Sequence, residues 1–547
     1  MPSLIYALLL FLIAAPSIAN PVGRATAPAV VLDKGTFIGV DKGLNFQFLG
    51  LPFTQPVSGK ARLHLPQLNL PYTGVHDATT FGPGCLQQAT PTPTLVPGSN
   101  SSAPPPPTDE ECLTINVITP ASSHPNSKFP VAVWIYGGGF ETGMSSSSDG
   151  GMIVNRSIEL SEPVVYVSMN YRLNGFGFLS SREVRDAGLG NLGLHDQREA
   201  LRWIQKYIRA FGDDPAKVTI WGESAGAISV GSQMMTNGGN TEGLFRGAFM
   251  ESGSPNQLAS DITAGQVSYD HIIADTGCAS SSDTLECLRT VPAAVLLDAI
   301  NKTPNIFSPA QALNLTWEPR VDGVFFTESG VNLVAKGSVA DVPIVSGDCD
   351  DEGTIFSVVL TNITTDEEAL DFISTNFFPA ATVSRMKRLL DLYPQDPAAG
   401  SPFDTGDQNA LTPQYKRLAA LQANITFQAP RRFLFEKRVT KQPVYSFLSK
   451  RGKSTPFVGA FHSSDLQNVY GGGELTDYLV HFVNNLDPNG LLVTGKRFYW
   501  PRYDLTHRQL LTLLDAPLPA LELTADTYRE DAMKFVADLI TEREQAI

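Results

Sequence analysis

A serine with glycines two positions to either side stands in KVTIWGESAGAISVGSQMM, where Gly222-Glu223-Ser224-Ala225-Gly226 joins a β-branched run to a helical pattern. In that setting the G-x-S-x-G spacing predicts a nucleophile turn. Strand and helix nearly touch there, so the glycines have no room for Cβ atoms, and the Ser224 hydroxyl is held outward near free helix amides. A serine hydroxyl is a poor nucleophile at neutral pH and needs a base. The chain order that goes with this turn is nucleophile, acid, base, and of the eight histidines His271, His462, His481 and His507 follow Ser224. His271 and His481 fall in amphipathic helical patterns and His507 in a polar stretch. His462 lies in a small-residue loop, residues 459–465, after the strand-like PVYSFLS, and is the favoured candidate, although spacing alone does not separate it from a structural histidine.

An acid to orient the imidazole is offered by Asp348-Cys349-Asp350-Asp351-Glu352, an acidic run that follows the strand-like VPIVSG. Composition does not choose among its four carboxylates. A developing oxyanion needs preorganised amides. Gly137-Gly138-Gly139-Phe140 follows PVAVWIY and, with the amide of Ala225, supplies backbone donors free of side chains. At this Gly-rich turn G-x-G-x-x-G spacing and a P-loop lysine are absent, and C-x-x-C and H-E-x-x-H do not occur in the sequence, so neither a cofactor nor a metal is expected.

These groups must be positioned by buried strands. Apolar runs at 130–136, 163–169, 217–222, 247–253, 342–347 and 443–449 read as strands covered on both faces, and amphipathic segments lie between them. Leu201, Ile204, Ile208 and Phe211 share one helix face, and the turn at Gly212-Asp213-Asp214-Pro215 is expected to end that helix. Strands alternating with helices predict a mostly parallel central sheet with helices on both faces, an α/β fold. A length of 547 residues taken at about 150 per domain suggests three or four domains. The candidate groups run from Gly138 to His462, however, so one sheet must span most of the chain, with large insertions over residues 20–547.

Composition excludes several classes. With 42% apolar and 17% charged residues a packed core is expected rather than disorder. The formal charge of −15 and pI near 5.0 leave no basic face for nucleic acid. Residues 4–15 are uninterrupted apolar and Ser17-Ile18-Ala19 offers a small-residue cleavage site, so residues 1–19 read as a signal peptide of a secreted chain. No later stretch approaches the ~18 apolar residues of a membrane span. Of the five cysteines, the economical pairing is Cys85 with Cys112 and Cys278 with Cys287, leaving Cys349 over. Sequons at Asn100, Asn155, Asn301, Asn314, Asn362 and Asn424 fit an extracellular glycoprotein. The 26 residues between Cys85 and Cys112 contain seven prolines and only Leu86, Leu95 and Val96 as large apolar side chains.

Taken in order, NFQFLGLPF, GPGCLQQ, EECLTINV, WIYGGGFETG, VSMNYRLNGFGFL, NLGLHDQREALRWIQKYIRAFG, VTIWGESAGA, GDCDDEGTIF, TPQYKRL, YSFLSK, FHSSDL and NLDPNG resemble the type-B carboxylesterase/lipase family, which includes the cholinesterases. The resemblance is strongest to its fungal secreted lipases and sterol esterases and covers nearly the whole mature chain. It implies an α/β-hydrolase fold and a serine ester hydrolase, with Ser224 as nucleophile, Glu352 as acid, His462 as base and the amides of Gly138, Gly139 and Ala225 as oxyanion hole. It also implies the same two disulfides. Two departures, Phe211-Gly212-Asp213 and Glu110-Glu111-Cys112-Leu113, bear on local turns only.

In the similar fungal lipases the segment between the first two cysteines is a lid. Here residues 85–112 are expected to form a short, disulfide-closed version with little apolar surface. Weak interfacial activation then follows, with activity on dispersed fatty-acyl, sterol and aryl or feruloyl esters. Ile355 and Phe356 are candidates for the acyl pocket, and core packing is the other role open to them. The expected partners are small-molecule esters and lipid aggregates, with no nucleic acid and no integral membrane, for a monomer or weak homodimer. The rival expectation is a cholinesterase-like adhesion module that keeps the fold without the catalysis.

Overall fold

The computed structural model describes residues 27–97, 106–255, 260–515 and 521–545. Residues 1–19, expected to be a signal peptide, and the Asn100 sequon lie outside the described residues. Eleven strands form the main sheet: β1 (Val40–Asp41), β2 (Asn45–Pro52), β3 (Thr114–Pro120), β4 (Phe129–Ile135), β5 (Val165–Met169), β6 (Asp213–Glu223), β7 (Gly247–Glu251), β8 (Ile344–Cys349), β9 (Val444–Ser449), β10 (Gln509–Leu513) and β11 (Leu521–Ala525), in the spatial order β11-β10-β9-β8-β7-β6-β4-β5-β3-β2-β1. From β5 through β10 every neighbouring pair is parallel, and the strands at both edges are antiparallel. The parallel strands β5, β7, β8 and β9 are buried at every position, which is why their sequences are continuous apolar runs rather than alternating ones.

Helix α1 (Leu192–Tyr207) buries Leu201 and Ile204, but the regular helix stops before the predicted face is complete. Ile208 and Phe211 belong to a 3-10 turn closed by Gly212 at φ 100°. A Cβ at Gly212 would lie 2.9 Å from the His124 carbonyl, so both conformation and space demand glycine. Asp213 does not continue the turn, as its sequence suggested. It already pairs with Phe129 as the first residue of β6, and the register shifts before Val218. The aspartate at this departure from the family pattern is buried without a partner, and burial pushes its carboxyl well above the usual range.

The Cys85–Cys112 and Cys278–Cys287 disulfides are present, and Cys349 is a buried free thiol. A two-stranded parallel ladder, Gly84–Cys85 with Thr108–Asp109, closes the base of the first cysteine loop. That loop is less detached than its composition suggests. Gln88 donates to the carbonyls of Ile300 and Thr303, the Ala89 amide donates to Asn301, and Val96 is buried in a cluster with Ile306, Leu313, Phe356 and Phe427.

Helix α2 (Ala225–Met235) packs on β6. Helices α3 (Tyr415–Ala423) and α4 (Ala429–Arg438) are joined by a π-helical turn, Asn424–Gln428, and helix α5 (Glu530–Gln545) ends the chain. On α4, Arg431 is wholly buried, donating from Nε to Asp348 at the end of β8 (2.6 Å) and from Nη1 to Asp526 just past β11 (3.0 Å). Arg432 donates to the same Asp526 at 2.8 Å. Burial opposes ionisation of Asp526, but the two guanidiniums hold its carboxyl well below the usual range. Asp526→Asn should therefore leave two buried cations undercompensated and cost about 3–5 kcal/mol. Urea unfolding of variant and parent measures this, and a loss below about 1 kcal/mol contradicts it.

Candidate active site

Parallel strands deliver their carboxyl ends to one edge of the sheet, and five spatial neighbours, β9, β8, β7, β6 and β4, each end near the same point. Ser224 sits between β6 and α2 with φ 55° and ψ −126°, a strained backbone for a non-glycine residue. The glycines around it explain how tight the turn is. A Cβ at Gly226 would lie 2.0 Å from the Ile135 carbonyl oxygen, and one at Gly222 would lie 2.5 Å from the backbone of Gly226. The strain is thus imposed by backbone-to-backbone contact between β4, β6 and α2.

His462, from the loop after β9, has Nε2 2.8 Å from Ser224 Oγ and Nδ1 2.5 Å from Glu352 Oε2. The other Glu352 oxygen accepts from Ser252 Oγ and from the Cys349 amide, both at 2.6 Å. All of these side chains are buried. Burial pushes the His462 imidazole below its ordinary range and the Glu352 carboxyl well above its own, each toward the uncharged form.

Glu352 alone of the four acids in its run reaches His462. Asp348 is bound to Arg431, Asp350 to Lys453 at 2.6 Å, and Asp351 accepts from Ser401, the amides of Phe403 and Ala460, and Lys453. Among the other histidines, His481 is held by Glu162 and the Leu491 carbonyl and His507 by Asp504, while His271 is exposed on its helix. Three groups near His462 are not apparent from the motifs. Glu223, the variable residue of G-x-S-x-G, lies 3.3 Å from His462 Nε2 and is pushed by burial up to about 7. Glu251 and Asp465 are two buried carboxyls in mutual contact, both raised by burial, with the Trp221 indole N–H donating to Glu251.

Gly138 and Gly139 follow β4 at φ 106° and 64°, and the N–H groups of Gly138, Gly139 and Ala225 donate to no group among the described residues. Gly139, Ser224 and Ala225 open onto a cleft of about 600 Å³. Its apolar wall is made by Ile228, Ile306, Leu313, Leu315, Ile425 and Phe427. Ile355 and Phe356, for which pocket and core roles were both open, are buried and do not line this cleft, although the Phe356 ring lies 5.3 Å from the His462 ring and stacks at 5.9 Å on Phe307 and 6.3 Å on Phe427. The pocket residues come instead from the 306–315 segment and the π turn, where Phe427 lies 4.7 Å from the His462 ring. No motif marked either segment. Asn424, in the same turn, corrects another expectation. It is wholly buried and donates to the Tyr393 hydroxyl, so it has no room for a glycan. Asn314 lines the cleft, where a glycan would fill it, while Asn362 is exposed and Asn155 and Asn301 are half-buried.

A family model described as the carboxylesterase family matches residues 26–535. The chain belongs to the carboxylesterase family. This carboxylesterase is 40% identical to secreted lipase 1 of Botryotinia fuckeliana, over 90% of each chain. It is 38% identical to lipase 4 of Diutina rugosa, covering 93% of this chain and 95% of that one. A secreted triacylglycerol lipase of Gibberella zeae is 36% identical, over 94% and 90%. Among solved structures, Aspergillus niger EstA superimposes with a TM-score of 0.81 at 26% identity, covering 95% of this chain and 99% of that one. The fold is accordingly that of the α/β-hydrolases, and the chain is a serine carboxylic ester hydrolase.

Only neutral His462 can take a proton from Ser224, and burial places its pKa below the ordinary value of about 6.5. A profile of kcat/KM against pH on a soluble short-chain ester should therefore fall on its acid side as His462 gains a proton, with that inflection below 6.5. An inflection above 7 contradicts this.

Proposed function

We propose that this carboxylesterase is secreted and hydrolyses neutral esters, fatty-acyl esters foremost, through an acyl-enzyme on Ser224. The reading rests on the continuous line from Ser224 Oγ through the His462 ring to Glu352. His462 Nε2 takes the hydroxyl proton as Oγ bonds to the ester carbonyl carbon, and the carbonyl electrons move onto oxygen. The amides of Gly139 and Ala225, with that of Gly138, hold this oxyanion, each donor contributing about 2.7–4 kcal/mol. The C–O bond then breaks, the alcohol leaves with the proton from His462, and water repeats the two steps to release the acid. Glu352, fixed by Ser252 and the Cys349 amide, keeps Nε2 aimed at Ser224 and stabilises the imidazolium.

Fatty-acyl esters are favoured by the apolar cleft wall and by the lipases among the relatives. Sterol and aryl or feruloyl esters belong to the same neutral class. The leader at 1–19 and the secreted relatives support secretion, and exposed Asn362 is the best-placed glycan acceptor. Residues 85–112 act as a short lid of low interfacial demand, with Val96 docked inward and Leu95 at its exposed side.

Ser224→Ala should abolish covalent labelling by an organophosphonate and lower kcat at least about 10⁴-fold, with an unchanged thermal midpoint. Retained turnover would sink the acyl-enzyme, and an unlabelled parent would favour the adhesion-module reading. Rates on a sparingly soluble ester should rise smoothly through its solubility limit. A sharp jump there would show that the lid does impose interfacial activation.

A further inference from the structure

The cleft onto which Ser224 opens has an apolar wall, but its lining is not all apolar. Asn314, Glu318 and Arg543 also line it, Arg543 from the last turns of α5. Glu318 is only 18% exposed at its side chain and pairs with Arg320 at 3.2 Å. Arg543 donates one bond, from Nη1 to the Phe377 carbonyl at 3.1 Å, and forms no ion pair among the described residues. The Asn314 side-chain oxygen accepts no hydrogen bond from a described residue. The cleft therefore presents further donors on Arg543 and an acceptor on Asn314 beside Glu318, whose carboxyl is raised by burial against the lowering pull of Arg320 and Arg543.

A plain alkyl chain ending here would strip water from these groups and return nothing. A carboxylate would meet Arg543 but also Glu318, and would first have to approach a chain of net charge −15. A hydroxyl both donates and accepts, and so satisfies both kinds of group. The inference places the acyl arm, which stays bonded to Ser224 while the alcohol departs, along this cleft, and it rests on the acyl-enzyme reading above.

We propose that the cleft selects esters whose acyl group carries a hydroxyl at its far end, either an ω-hydroxyalkanoyl or a para-hydroxyaryl acyl group, with Arg543, Glu318 and Asn314 as the specificity-determining residues. A site built to bond a hydroxyl rejects the analogue that lacks it far more strongly than an apolar pocket rejects an added methylene.

The test compares p-nitrophenyl alkanoates from butanoate to dodecanoate with their ω-hydroxy and ω-carboxy counterparts, and 3-phenylpropanoate with its 4-hydroxy form. The readout is the ratio of kcat/KM within each pair, so a change in overall rate cancels. In the parent the hydroxyl form should be preferred about tenfold or more at one chain length or in the aryl pair, and which of these responds tells the two substrate sources apart. Arg543→Leu and Glu318→Leu should bring the ratio to near one, and Arg543→Gln, which keeps a donor, should recover part of it. Ratios at or below one throughout the parent series, a preference that survives both leucine variants, or ω-carboxylates exceeding ω-hydroxyls would each overturn the proposal. If turnover of p-nitrophenyl acetate survives Ser224→Ala, it is the acyl-enzyme reading that fails instead.

Discussion

The parallel pairing of β4, β6, β7, β8 and β9 is the constraint on which the site depends. Parallel strands in register bring their carboxyl ends to one edge at a spacing of roughly 4.8 Å. Five segments separated by more than 300 residues of chain thereby contribute the glycine loop, Ser224, Ser252, Glu352 and His462 within hydrogen-bonding reach of one another. Each segment needs only a short excursion from its strand, so little chain entropy is spent in fixing the geometry. The insertions between the strands then build the cleft without moving that edge.

Burial has a second effect at the same edge. Glu223 and Asp465 lie near His462, and Glu251 lies behind them against Asp465; burial raises all three carboxyls and lowers the imidazole, so it favours the uncharged form of each. The resting site carries less charge than its composition suggests. In the proposed mechanism, Glu223 and Glu352 already touch the ring when the proton arrives from Ser224, and little reorganisation is needed to receive the new charge.

What the sequence made legible followed from chain locality. The elbow at Ser224, the GGGF turn and the six buried strands each announce themselves within about ten residues. Glu352 could not be told from Asp348, Asp350 and Asp351, because what separates them arrives from elsewhere: Arg431, Lys453 and the amides of Phe403 and Ala460 occupy the other three. The pocket was illegible for the same reason. Ile355 and Phe356 follow the acid directly and are apolar, but the wall facing Ser224 is supplied by Ile306, Leu313 and the π turn. A widened helical turn of this kind leaves no periodic signature. Asn424 shows the opposite failure, a local motif that the surrounding packing overrules.

A clasp at the base of the first cysteine loop, a two-residue ladder beside the Cys85–Cys112 bond, pins both of its ends. With both ends pinned, lengthening the segment between them costs only loop-closure entropy, about 0.6 kcal/mol for each doubling. Residues can be added or removed there without any strand shifting register. Evolution can therefore change the length of this loop while the five strand ends stay where they are.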